Sequence, residues 1–311
     1  MKKRVSTILS LILILAMLLN MAATTLFALP ESSDIAVASD TEIDYTQYVN
    51  IFNGTGGDHG QLSPAAQVPH GLVKLGPDTW PKTSGIAQSG YDFNSLLIRG
   101  FSHTRIDGTG NVGAGGDVRI MPSLSAPTAG FDPDTGSMYK ANEEATVGYY
   151  KTDLTAVAPV YTGATPDEKL AETVTTDAAT TITAQMTART RTGYHKYTFP
   201  SDTAYFYIDL GDAFAGRPEG GAYIAIVGDN RLEGYVIGGN VTGRTTNFYK
   251  MYFAVEFEAA FSSVSLYNNS EALTENTSEL GANVGAVVSF SGVSAPIYAK
   301  VTMSTISTEQ A

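Results

Sequence analysis

From about Gly148 onward, apolar and polar residues alternate with a period of two. Ile182, Ala184, Met186 and Ala188 share one face of such a segment, with Thr181, Thr183, Gln185 and Thr187 on the other. Phe206, Ile208 and Leu210 alternate in the same way with Tyr205, Tyr207 and Asp209. The pattern recurs over Met251, Phe253, Val255 and Phe257, and over Ile297, Ala299, Val301 and Met303. Successive side chains of an extended strand point to opposite faces, so this period predicts half-buried strands. Gly228-Asp229-Asn230, between Ile224–Val227 and Leu232–Ile237, reads as a hairpin turn. Beyond the first residues, no amphipathic pattern supports a helix of more than two turns. Repeated strands with so little helix predict an all-β fold, an antiparallel β-sandwich.

The run from Tyr48 to Pro122 breaks the pattern. Fourteen of the 31 glycines fall between Gly54 and Gly116, with His59, His70, His103 and the only tryptophan, Trp80. Glycine is useful where φ is positive or where a ligand approaches the backbone closely. Interleaved Phe52, Leu72, Val73, Leu75, Tyr91, Phe93 and Phe101 argue against disorder. A long, ordered, irregular stretch in a compact domain reads as a binding or active-site loop system.

Lys2, Lys3 and Arg4, then the apolar stretch Ile8 to Leu19, then the small residues around Ala22 to Ala28 form a secretory signal, with cleavage expected after Ala28. Export and a chain with no cysteine exclude a disulfide framework, so stability must come from a large core. Cleavage removes three cations and no anion, taking the formal charge from −12 to −15 over the remaining 283 residues. An acidic surface without a basic cluster repels nucleic acid and anionic lipid and favours neutral partners. No nucleic-acid partner is expected, nor any membrane contact once the signal is gone. Residues 29–44 are polar and aperiodic, a disordered lead-in. At the other end, Ser307 and Gln310 have the spacing of a capping box, with Glu309 in the first turn, so 306–311 reads as the start of a truncated helix and 45–305 as the sandwich domain.

Several chemistries fall away. Gly108-Thr109-Gly110-Asn111-Val112-Gly113 fits the dinucleotide fingerprint in letters, but no helix pattern follows to hold a pyrophosphate. No serine lies in G-x-S-x-G, and four scattered histidines do not make a zinc site. Asp132-Pro133-Asp134-Thr135-Gly136 lacks the remaining ligands of a calcium loop and reads as a type I turn. What remains is sugar chemistry. Asp58, Asp78, Asp92, Asp107 and Asp117 lie in the glycine-rich segment, where two could face a sugar or each could cap a turn. Phe101-Ser102-His103-Thr104-Arg105 sets donors beside an aromatic ring. His103 reads equally as a core histidine satisfied by the backbone.

The same segment resembles glycoside hydrolase family 92, the exo-acting α-mannosidases. Tyr48 to Gly57 resembles the opening VNPFIGTGG, and residues 64–79 resemble PGATVPFGMVQLSPDT. Ser89-Gly90-Tyr91 is similar to SGY, and residues 100–110 to GFSHTHLSGTG. Residues 193–200 resemble GxHRYTFP, and 306–311 resemble VSVEQA. Arg105 stands at the second histidine of FSHTH and Asp107 at the serine after it. The tryptophan that precedes SGY in the family has no aligned partner.

The resemblance implies a sandwich of the galactose-mutarotase-like (supersandwich) kind, packed on a C-terminal (α/α)-barrel domain. It also implies an inverting, calcium-dependent enzyme acting on mannose-containing glycans. The general acid (Glu) and base (Asp) would come from the helical domain, beyond Ala311, so no catalytic residue and no metal ligand is expected here. The residues expected to contact substrate are Gly56, Gly57, Asp58, His59, Asp78, Ser102, His103, Thr104, Arg105 and Asp107. A freestanding carbohydrate-binding or cell-surface module is the alternative.

Overall fold

The computed structural model describes residues 43–56, 62–80, 89–108, 115–127, 130–158, 176–211, 218, 220–239 and 248–311. The first strands are β1 (Ala66–Gln67), β2 (Lys74–Trp80), β3 (Leu97–Ser102), β4 (Arg119–Ser123), β5 (Met138–Thr146) and β6 (Tyr149–Thr155). They are followed by β7 (Thr181–Ala188), β8 (Thr192–Thr198), β9 (Thr203–Asp209), β10 (Ala222–Val227), β11 (Arg231–Gly238) and β12 (Tyr249–Phe257). The last are β13 (Ser263–Asn268), β14 (Glu271–Leu273), β15 (Ser278–Gly281), β16 (Val284–Ser291) and β17 (Ile297–Ser304).

Pairing between these strands is antiparallel throughout. One run reads β5-β6-β7-β8-β17-β12-β11-β10-β15, the other β2-β3-β4-β9-β16-β13-β14. Strand β3 joins them: Phe101 faces Ile120 of β4, while Leu97 and Ile98 face Tyr139 and Met138 of β5. The two runs pack face to face, giving the antiparallel β-sandwich that the alternation predicts. Phe206 of β9 marks the contact, its ring 5.0 Å from Tyr197 of β8 and 5.3 Å from Phe257 of β12. Such tilted aromatic pairs add roughly 0.5–1.5 kcal/mol each beyond the area they bury.

The alternating segments fall where their period places them. Ile182, Ala184, Met186 and Ala188 are buried on β7, as are Met251, Phe253, Val255 and Phe257 on β12. The 228–230 hairpin forms between β10 and β11, with Gly228 at φ +73°. Asp132 departs from the type I turn. Its carboxylate accepts from Asp134 N at 3.0 Å and caps a single helical turn, Pro133–Gly136. Beyond β17, Ala311 N donates to Thr308 O at 3.1 Å, closing one turn. Among the described residues no helix is long and apolar enough to cross a membrane.

The glycine-rich segment is more regular than its composition predicts. It contains β2, β3 and β4, and the first two are buried at nearly every position instead of alternating. The polar residues on these strands lie inside the protein, and their partners define the candidate site.

Candidate functional site

Asp78 on β2 has no solvent exposure. Arg105 Nε donates to its Oδ1 at 2.8 Å, and Arg119 Nη1 of β4 stands 4.0 Å from its Oδ2. Arg119 is ion-paired in turn with Asp209 of β9, which also accepts from the Tyr267 hydroxyl at 3.3 Å. Charges removed from water are costly unless paired and hydrogen-bonded, and here two of each sign neutralise one another. The backbone makes room for them. Gly90 has φ +92°, and a Cβ there would stand 2.5 Å from Asp78 Oδ1 and overlap Arg105 Nε. Gly100 has φ +141°, and a Cβ would stand 2.6 Å from Arg119 Cγ. On composition alone such glycines bring backbone close to a ligand; at these two positions what approaches is an arginine.

His103 follows β3 and is equally buried. Its Nδ1 lies 2.6 Å from the Val118 carbonyl, which can only accept, so Nδ1 carries the proton. Nε2 of His103 is then the acceptor for Nε2–H of His195, 2.9 Å away. His195 Nδ1 accepts in turn from the Tyr197 hydroxyl at 2.9 Å. The chain is complete with both imidazoles neutral. Burial pushes His103 down to about 4, against smaller opposing effects of the Val118 carbonyl, Asp78 and Asp117. Burial, then the neighbouring His103, holds His195 well below the ordinary histidine range. This is the core histidine satisfied by the backbone, extended by one more imidazole.

The residues after His103 turn outward to a pocket of about 550 Å³, within the usual range for small-molecule sites. Lys74, Thr104, Arg105 and Asp107 form its polar wall; Leu62, Leu72, Ile106 and Met251 supply apolar surface, and Tyr249 comes in from β12. Lys74 and Asp107 are ion-paired. Ser63 steadies the carboxylate, its N–H donating to Oδ2 at 3.2 Å and its hydroxyl to Oδ1 at 3.4 Å. Burial pushes the Lys74 ammonium down to about 7. Buried Asp117 ties the wall together. Its Oδ2 accepts from Thr104 Oγ1 at 2.8 Å and from the Tyr249 hydroxyl at 2.6 Å.

The sequence-predicted residues therefore divide. Thr104, Arg105 and Asp107 line one pocket, while Asp78, Ser102 and His103, all 0 % exposed, lie behind it. Gly56 sits against Phe93 and Asn94. Gly57, Asp58 and His59 lie outside the described residues, but the loop's far flank, Leu62 and Ser63, reaches the pocket and Asp107. Lys74 and Tyr249 were not among the predicted contacts. A lysine among apolar neighbours, between Val73 and Leu75, was the available signal for the first; for Tyr249, 132 residues from Asp117 in sequence, there was none. No group of three or more His, Asp or Glu side chains gathers at metal-binding spacing among the described residues.

The family model of the glycosyl hydrolase family 92 N-terminal domain matches residues 48–304. No curated protein matches the chain. Among solved structures, the GH92 family glycosyl hydrolase CcMan5 is 32% identical over 86% of this chain and 33% of its own, with a TM-score of 0.72. The family GH92 α-mannosidase BT3965 from Bacteroides thetaiotaomicron is 26% identical over 85% of this chain and 34% of its own, at 0.68. The family GH92 inverting mannosidase BT2199 from the same species is 21% identical over 88% and 33%, at 0.65, a likeness of fold. The chain spans about a third of the length of these relatives. Since the match extends from the residues before β1 to the end of β17, the chain belongs to glycosyl hydrolase family 92 and carries that family's N-terminal domain.

Proposed function

We propose that this domain forms one wall of the sugar site of a secreted α-mannosidase, completed by a helical domain that supplies the general acid and base. The observation that supports this most directly is the pocket, where the segment resembling GFSHTHLSGTG meets the flank of the segment resembling VNPFIGTGG. Neutral mannose-containing glycans suit an acidic chain whose pocket pairs its charges internally. The basic and apolar leader is the basis for secretion. Calcium belongs to the proposal through the family resemblance alone.

Two measurements test this. Purified 29–311 should show no mannosidase activity above blank on aryl α-mannosides, with or without calcium, because loss of a general acid or base costs about two to four orders of magnitude. Turnover by this chain alone would sink the reading. In the protein joined to its helical domain, Asp107→Ala should lower kcat/KM at least about tenfold with little change in Tm, since Asp107 stands at the pocket wall. Unchanged kinetics would remove this pocket from the site.

A further inference from the structure

Lys74 and Asp107 are 33 residues apart in the chain and meet as an ion pair in the pocket wall, their side chains 11% and 20% exposed. Taking two charges out of water costs desolvation that a neutral pair avoids, so stability alone gives no reason for a charged pair at this place.

The hydrogen-bond inventory shows what the pair still offers. A carboxylate has about four acceptor positions. Asp107 Oδ2 takes Lys74 and the Ser63 N–H, and Oδ1 takes the Ser63 hydroxyl, so one position on Oδ1 remains. An ammonium has three donors. Among the described residues Asp107 alone accepts from Lys74 Nζ. A spare anionic acceptor thus lies beside spare cationic donors in a pocket of small-molecule size.

We infer that Lys74 and Asp107 form a diol clamp that sets the pocket's specificity, Asp107 accepting from one hydroxyl of a neutral pyranoside and Lys74 donating to the next. The inference rests on the sugar-site reading above. The class is neutral because Asp107 pairs with Lys74 and Asp78 with Arg105, so neither cation of the wall is left over to hold an anionic ligand. Charge-assisted hydrogen bonds are roughly twice as strong as neutral ones, and a site built to bond a hydroxyl rejects the analogue that lacks it.

The test is an NMR titration of the full chain with methyl α-D-mannopyranoside and its monodeoxy analogues, for wild type and for Lys74→Gln/Asp107→Ser. The double variant replaces both charges with neutral hydrogen-bonding groups and leaves no charge unpaired. Wild type should bind the parent glycoside, and analogues deoxygenated at two neighbouring carbons should bind about tenfold more weakly or worse. In the double variant that difference should vanish. Parent binding with no penalty for deoxygenation, or a penalty that survives in the double variant, overturns the clamp and spares the sugar site. Absence of binding by every mannoside overturns the clamp, while the sugar-site reading stands or falls on the kinetics of Asp107→Ala in the two-domain protein.

Discussion

Asp78→Ala should destabilise the domain by about 3–5 kcal/mol, the usual result of deleting one partner of a buried charge pair. The loss arises less from the missing attraction than from what is left behind. Arg105 and Arg119, 5% and 2% exposed, would keep their charges in a region built around a carboxylate. Arg119 retains Asp209, so the burden falls on Arg105, whose Nε loses its 2.8 Å acceptor. Asp107→Ala sets the scale from the other side. Asp107 is 20% exposed, and its lysine, already pushed down to about 7 by burial, can release its proton at little cost, so the loss should be well below that of Asp78→Ala. Urea unfolding of both variants against wild type measures the contrast. Comparable losses for the two, or an Asp78→Ala loss under about 1 kcal/mol, would mean that the buried network does not hold these strands.

The same network explains which parts of the protein were legible in the sequence. β7, β9, β12 and β17 show their period openly because one face meets the core and the other meets water or half-buried neighbours. β2 and β3 do not. Asp78, Arg99 and Ser102 are as buried as Leu75, Ile98 and Phe101 beside them, so the rule that polar means outward fails on both strands. Their glycines compound the effect: Gly90 and Gly100 read as loop or ligand glycines, whereas their missing side chains admit Arg105 and Arg119. The family motifs compensated, since they singled out the 100–107 segment that forms the polar wall of the pocket. What no local pattern contains is the company these residues keep. Tyr249 reaches Asp117, and His195 reaches His103, from strands far along the chain.

That histidine contact leads to the second large effect, a loss of stability in mild acid. An unfolded histidine takes up a proton near pH 6.5, whereas burial keeps His103 neutral down to about 4 and holds His195 well below the ordinary histidine range. Both folded values are depressed, so below pH 6.5 the unfolded chain binds more protons than the folded one and stability falls with pH. His103 alone amounts to about 1.5 kcal/mol lost between pH 6.5 and 5, before most carboxylates begin to titrate, and His195 adds a loss of the same sign. Hydrogen bonding gives the same sign. One added proton can be held by turning His195 Nδ1 into a donor to the Tyr197 oxygen, but with both rings charged the Nε2–H groups of His103 and His195 would face one another across 2.9 Å with no acceptor between them. Urea midpoints at several pH values in this window, converted to free energies, give the proton count directly. His195→Gln removes one titrating ring while its amide can still donate to His103, so the slope should fall by about half. A wild-type stability that stays flat from pH 6.5 to 5 would show that the pair is reached by water or already charged, and the relay from Val118 to Tyr197 would have to be abandoned.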